Sequence, residues 1–251
     1  MKSELKACLT DLHLPSIREN FESVSERAVR EHYTYEQYLF ELVKQEQDER
    51  SQRRIQRLRR ESGLPVGKTL SAFKRERLPA KVGMQLNVLL EGAFTSRAEN
   101  LLIFGNTGSG KTHLISAIGH ELVSQNKRVV FKKCSFLVQE LLQAKEDLRL
   151  PQLMKRLSRN AAIIIDDIGY VQRDRAEMEV LFTLIADCYE KTSIMLTSNF
   201  VFSDWERIFK DPVTTSAAID RLVHHSIILE LNLASYRLEE AEKNREGNCE
   251  S

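Results

Sequence analysis

The residues Gly105-Asn106-Thr107-Gly108-Ser109-Gly110-Lys111-Thr112 carry the clearest chemistry in the chain. They satisfy G-x-x-x-x-G-K-[ST] at every fixed position, a pattern that cradles phosphates. Glycines let backbone N–H groups curl around phosphate oxygens without Cβ clashes, and a helix that follows presents its positive end to them. In such a loop Lys111 reaches the β- and γ-phosphates, and the Thr112 hydroxyl ligates Mg²⁺. The expected ligands are ATP and Mg²⁺. The flanks agree, because apolar LLIF enters the loop and amphipathic HLISAIGHEL leaves it.

Phosphoryl chemistry needs carboxylates opposite that loop. Asp166 and Asp167 end an apolar run, Ala161–Ile165, where the first would hold the Mg²⁺ hydration shell. Asp167 stands where a carboxylate can orient and deprotonate an attacking water. An Asp is shorter than the Glu many related ATPases carry there, so slow basal hydrolysis is expected. Asn199 closes the apolar stretch SIMLTSN and is a candidate for positioning the same water. Charge at the γ-phosphate also calls for an arginine, and none lies inside the loop. Arg221 and Arg237 are the late candidates, placed to reach a neighbouring subunit's ATP as trans-acting arginine fingers do. A simple pairing of Arg221 with Asp220 is the alternative.

The elements that must position these residues can be read from pattern. Strands are expected at Leu101–Phe104, Arg128–Phe131, Ala161–Asp166, Ser193–Ser198 and Ile227–Leu231, with helices at His113–Gln125, Phe136–Asp147 and Glu177–Glu190 between them. Continuous apolar strands such as AAIII imply a parallel sheet covered by helices on both faces, an α/β fold. Residues 1–65 read instead as an all-helical domain. Leu5, Leu9 and Leu12 repeat at helical spacing, as do Ile17, Phe21, Val24 and Ala28. Thr34 and Gln37 form a capping box, and the helix they open should stop at Ser62, before Gly63 and Pro65. Residues 66–251 form the second domain.

Arg50, Arg53, Arg54 and Arg57 share one face of that third helix, and Arg59, Arg60, Lys68, Lys74, Arg75, Arg77 and Lys81 prolong the basic run. Pairs such as Glu46–Arg50 and Glu49–Arg53 would make it a solvated face. Without such pairing it would bind the phosphates of a nucleic acid. Composition excludes other classes. The 42% hydrophobic content with only 10 Gly and 5 Pro describes a folded, helix-rich chain, and no apolar run approaches the roughly 18 residues of a membrane span. The absence of a signal-like N-terminus and the scattered Cys8, Cys134, Cys188 and Cys249 point to reduced thiols and a cytoplasmic location. His224 and His225, read as strand neighbours, would point apart and pack rather than share a metal.

Taken together, GNTGSGKTHLISAIGHEL, IIIDDIGY, MLTSNFVFSDWERIF, IDRLVHHSIILEL and SYR resemble, in order and spacing, the AAA+ ATPases of the IstB/DnaC group, and IstB-type transposition helpers best of all. The resemblance covers nearly the whole chain. It implies an AAA+ P-loop core with a five-stranded parallel sheet, a small helical N-terminal domain, and little or no C-terminal lid. It makes Asp166 and Asp167 the Walker B pair, Asn199 sensor 1, Arg221 the arginine finger and Arg237 the sensor-2 arginine. It further implies self-assembly with ATP sites at subunit interfaces, duplex DNA as ligand, and delivery of that DNA to a partner transposase. Lys132 and Lys133, with Arg173 and Arg175, are the candidate DNA contacts. A DnaC-like helicase loader is the rival reading. A small-molecule P-loop kinase would need an acceptor segment and a cis-acting arginine-rich lid, and the sequence offers neither.

Overall fold

The computed structural model describes residues 1–170, 175–200, 205, 212–233 and 235–236. Three helices open the chain: α1 (Lys2–Asp11), α2 (Pro15–Arg30) and α3 (Tyr35–Glu61). The capping box forms as its residue types require. Thr34 Oγ1 accepts from Gln37 N at 3.2 Å, and Gln37 Oε1 accepts from Thr34 N at 2.8 Å. At the other end Gly63 takes φ +68°, beyond the last turn of α3. Leu9, Phe21, Val24 and Leu42 make the small core of these helices. Of the first apolar run only Leu9 is buried; Leu5 and Leu12 face outward.

The chain divides into two compact units, Met1–Arg57 and Leu58–Ser251. The division falls inside α3, ahead of the expected turn at 65, because Leu58 and Leu64 are buried in the core of the second unit. The two expected pairs on α3 are present, Arg50 Nε to Glu46 Oε1 at 2.8 Å and Arg53 Nη2 to Glu49 Oε2 at 3.6 Å. Glu46 does more than brace its own helix. Its Oε2 accepts from Ser16 N at 2.8 Å and Ile17 N at 3.2 Å, two donors that the first turn of α2 cannot satisfy internally.

In the second unit five strands form one parallel sheet: β1 (Asn100–Gly105), β2 (Val129–Lys133), β3 (Ala162–Asp166), β4 (Ser193–Ser198) and β5 (Ser226–Leu231), in the order β2-β3-β4-β1-β5. Alternate residues feed two cores. Leu102, Phe104, Ile163, Ile165, Ile194 and Leu196 pack under α6 (Cys134–Glu146), α7 (Leu150–Leu157), α8 (Arg175–Cys188) and α9 (Pro212–Val223). Leu101, Ile103, Ala162, Ile164 and Met195 pack under α4 (Ala80–Leu90) and α5 (Lys111–Ser124). Each fully buried Leu or Ile contributes roughly 1.5–3 kcal/mol through burial, which is why the strands read as unbroken apolar runs. Helices α4, α7 and α9 are additions to the pattern read from sequence. The outer strand β2 does not present a bare edge, since Phe131 N donates to Ser62 O at 2.7 Å.

Burial alone would raise the Glu46 carboxyl, but Arg50 and the Ile17 and Ser16 N–H groups outweigh it and hold the group below the usual carboxylate range. A depressed folded-state pKa stabilises above the unfolded value of about 4.3 and ceases to do so as pH falls through the folded value. Glu46→Ala is therefore expected to destabilise the N-terminal unit by about 1–3 kcal/mol at neutral pH, the cost of stranding one buried and one half-buried N–H donor. The deficit against the parent should shrink below pH 4.3 or so. Hydrogen exchange of the first amides of α2 across pH checks both expectations.

Candidate active site

The loop between β1 and α5 owes its path to two glycines. Gly105 has φ +153°, and a Cβ there would lie 2.3 Å from Leu231 O on the neighbouring β5. Gly108 has φ +83°, and a Cβ would come 2.1 Å from Ser235 Oγ. The second contact arises because the SYR segment is tied to the loop: Tyr236 N donates to Gly108 O at 3.0 Å. Lys111, the first residue of α5, donates from Nζ to Gly105 O and Asn106 O, both at 2.8 Å. Ser109 Oγ is buried with no hydrogen-bond partner among the described residues. A backbone cradle at a helix N-terminus with an orphaned hydroxyl inside it fits a phosphate chain. Thr112 follows in the first turn of α5, where its hydroxyl is available to a cation held by that chain.

Beside the loop lies a pocket of about 260 Å³. Lys68, Phe73, Lys74, Arg77, His113 and Tyr236 line it together with Gly108–Thr112. Lys74 Nζ lies 5.0 Å and Arg77 Cζ 5.1 Å from the centre of the Tyr236 ring. Phe73 meets His113 edge to face at 5.2 Å, and His113 Nε2 is 3.0 Å from Thr69 O. Three members of the basic run that composition left undecided thus face the P-loop. No local signal marks them. Their direction is set at long range, where Leu70, Phe73 and Leu78 pack against the α4–α5 core.

Strand order supplies the rest. Strand β4 lies between β1 and β3, so the carboxyl ends of all three emerge side by side. Asp166, at the end of β3, is only 4% exposed. Asp167 adopts φ +66°, a left-handed conformation that costs a non-glycine residue roughly 1–2 kcal/mol. Asn199 Nδ2 lies 3.4 Å from Asp167 Oδ1, so the two residues singled out for water positioning do meet. Thr197 is the residue sequence reasoning missed. Its Oγ1 donates to Asp166 Oδ1 at 2.7 Å and accepts from Asp167 N at 2.8 Å, a bond whose net contribution of about 1 kcal/mol helps offset the strain at Asp167. A Thr in an apolar strand gives no signal of its own; parallel pairing carries it opposite Asp166.

The remaining candidates are dispersed. Arg221, in the last turn of α9, lies with its guanidinium 5.1 Å from the Phe182 ring on α8, and its Nη1 is 3.4 Å from Ala217 O. Lys132 is ion-paired with Glu140 at 2.9 Å, and Glu140 also holds Arg156 at 2.6 Å. Lys133 at the end of β2 and Arg175 at the start of α8 are exposed. Arg173 and Arg237 lie outside the described residues. His224 and His225 stand in a turn and not on a strand, so their rings approach edge to face at 4.2 Å instead of pointing apart. Trp205 is wholly buried, with Nε1 donating to Phe200 O at 3.3 Å, and cannot stack on a base. Burial pushes the Cys134 thiol up to about 12, with Asp167 and Glu177 adding to the shift, and burial does the same at Cys188. Neither is a nucleophile at neutral pH. Among the described residues no helix is long and apolar enough to cross a membrane.

Comparison with known proteins finds relatives over most of the chain. The chain is 40% identical over 237 residues to an insertion sequence ATP-binding protein of Sinorhizobium fredii, covering 94% of this chain and 80% of that protein. It is 36% identical over 240 residues to the IS21 insertion sequence ATP-binding protein of Pseudomonas aeruginosa, covering 96% and 91%. The crystal structure of the DnaC helicase loader superposes with a TM-score of 0.57 at 15% identity, over 66% of this chain and 98% of that one, which shows a shared AAA+ fold. Residues 7–244 match the family described as IstB-like ATP binding protein. With that match across most of its length, the chain belongs to the IstB-like ATP-binding family and is an AAA+ ATPase.

Proposed function

We propose that the chain is a transposition helper that binds ATP with Mg²⁺ at Gly105–Thr112, assembles with copies of itself on duplex DNA, and presents that DNA to a partner transposase. The observation that carries the hydrolytic half is the side-by-side emergence of the P-loop, Asn199 and the Asp166–Asp167 pair at the ends of β1, β4 and β3. The transposition half is supported by relatives that align over almost the whole chain and carry insertion-sequence names. The likeness to the helicase loader is one of fold, and favours that rival less.

Each role follows from placement. The cradle of Gly105–Gly110 would hold the β- and γ-phosphates, with Lys111 exchanging its two carbonyl partners for phosphate oxygens. Mg²⁺, when bound, supplies charge neutralisation on those oxygens, and Thr112 and Asp166 are the residues to hold it. Asp167, steadied by Asn199, orients the attacking water and takes its proton. The pocket of Phe73, His113 and Tyr236, ringed by Lys68, Lys74 and Arg77, lies where the nucleoside and its phosphates enter. Arg221 is the residue we assign to a neighbouring copy's γ-phosphate, which makes turnover depend on assembly. For DNA contacts, Lys133 and Arg175 take precedence over Lys132, whose ammonium already faces Glu140.

Two outcomes test this. Duplex binding by the purified protein, followed by mass with ATP, ADP or no nucleotide, should depend on ATP and weaken steeply with salt. Lys111→Ala should abolish both nucleotide binding and that assembly; a variant that still assembles on duplexes like the parent sinks the proposal. In steady-state assays Asp167→Asn should keep ATP affinity but lower turnover by about 10²-fold or more, as loss of a positioned base does. Asp167→Glu should raise basal turnover, and unchanged turnover would count against Asp167 as the limiting group.

A further inference from the structure

We infer that Thr197 is a positioning residue that couples the metal-holding and water-activating carboxylates through one hydroxyl. This rests on the hydrolytic reading above and adds to it a residue that no part of that reading requires.

A threonine hydroxyl has a single proton to donate and lone pairs to accept with. Here the proton is committed to Asp166 Oδ1 at 2.7 Å, and a lone pair is committed to the N–H of Asp167 at 2.8 Å. Thr197 is 1% exposed, so no solvent competes for either bond. Both commitments have consequences at the site. Because the hydroxyl must accept from Asp167 N, its proton can only point away, and Asp166 Oδ1 is fixed as an acceptor. The other Asp166 oxygen keeps both of its lone pairs for a cation. Because Asp167 N is held, the backbone keeps φ +66° there, and the Asp167 carboxylate stays within 3.4 Å of the Asn199 amide. Thr197 and Asn199 both come from the end of β4, one reaching the backbone of Asp167 and the other its side chain. Strand β4 thereby fixes the relative position of two carboxylates that belong to the next strand.

Positioning of this kind acts at one remove, through the groups that ligate or react. Thr197→Val keeps the shape of the side chain and removes the hydroxyl; Thr197→Ser keeps the hydroxyl and removes a methyl; Thr197→Ala removes both. The full-length parent and the three variants are compared in two measurements. The first is affinity for a non-hydrolysable ATP analogue in EDTA and in Mg²⁺, which reads metal holding without turnover. The second is kcat and KM for ATP. The expected result is that Thr197→Val binds the analogue normally in EDTA but loses the gain in affinity that Mg²⁺ confers. Its kcat should fall by about 10- to 100-fold, the range typical of removing a ligand's supporting partner, and Thr197→Ser should restore both. If Thr197→Val fails to fold by thermal melting, Thr197→Ala carries the same expectation. Parent-like Mg²⁺ gain and kcat in Thr197→Val would overturn the inference. So would equal impairment of Thr197→Ser and Thr197→Val, which would assign the effect to packing of the methyl group. A parent that shows no ATP turnover would defeat the proposed function instead, while the Mg²⁺-dependent affinity would still report on Thr197.

Discussion

A parallel sheet covered on both faces leaves polar side chains one place to meet a ligand, the ends of its strands. Leu101 to Phe104, Ala162 to Ile165 and Ile194 to Leu196 are all buried, with helices packed against both faces. The phosphate loop, the two aspartates and Asn199 therefore all sit at strand ends: Gly105 onward at β1, Asp166 and Asp167 at β3, Asn199 after β4. The order β2-β3-β4-β1-β5 then decides which of those ends are neighbours. Sequence distance is irrelevant to that outcome. Ligand binding at the carboxyl ends of the strands is the general behaviour of open α/β sheets.

That constraint explains what could be read in advance. Local signals gave the P-loop, because a glycine pattern between an apolar strand and an amphipathic helix has a single economical fold. They gave all five strands to within a residue or two at each end, because short, mostly apolar runs mark strands, and the unbroken ones, β1, β3 and β4, have both faces buried. The capping box at Thr34 was legible for the same reason, its partner being three residues away.

What escaped was everything decided by tertiary neighbours. Thr197 looks like any threonine in a strand until β3 is laid beside it. Lys68, Lys74 and Arg77 look like a continuation of the arginine run of α3, whereas Phe73 and its apolar neighbours anchor their segment beside the P-loop. Lys132 looked available until α6 brought Glu140 to it. Even His224 and His225 were misjudged through one local choice, strand in place of turn, which reverses the relation between adjacent side chains. Charge and polarity in a sequence give an inventory, and the fold decides to whom each group is addressed.

The hydrogen bond from Phe131 to Ser62 has a consequence for how copies of the chain can meet. An outer strand with free amides invites another chain to extend the sheet, an open-ended and hard-to-reverse way to polymerise. Here the loop that follows α3 already occupies that position on β2, with Gly63 lying close to the Phe131 carbonyl. Strand-to-strand growth from this side is hindered at Phe131. The nucleotide-dependent assembly proposed above would then have to form elsewhere on the molecule, through contacts weak enough to be undone.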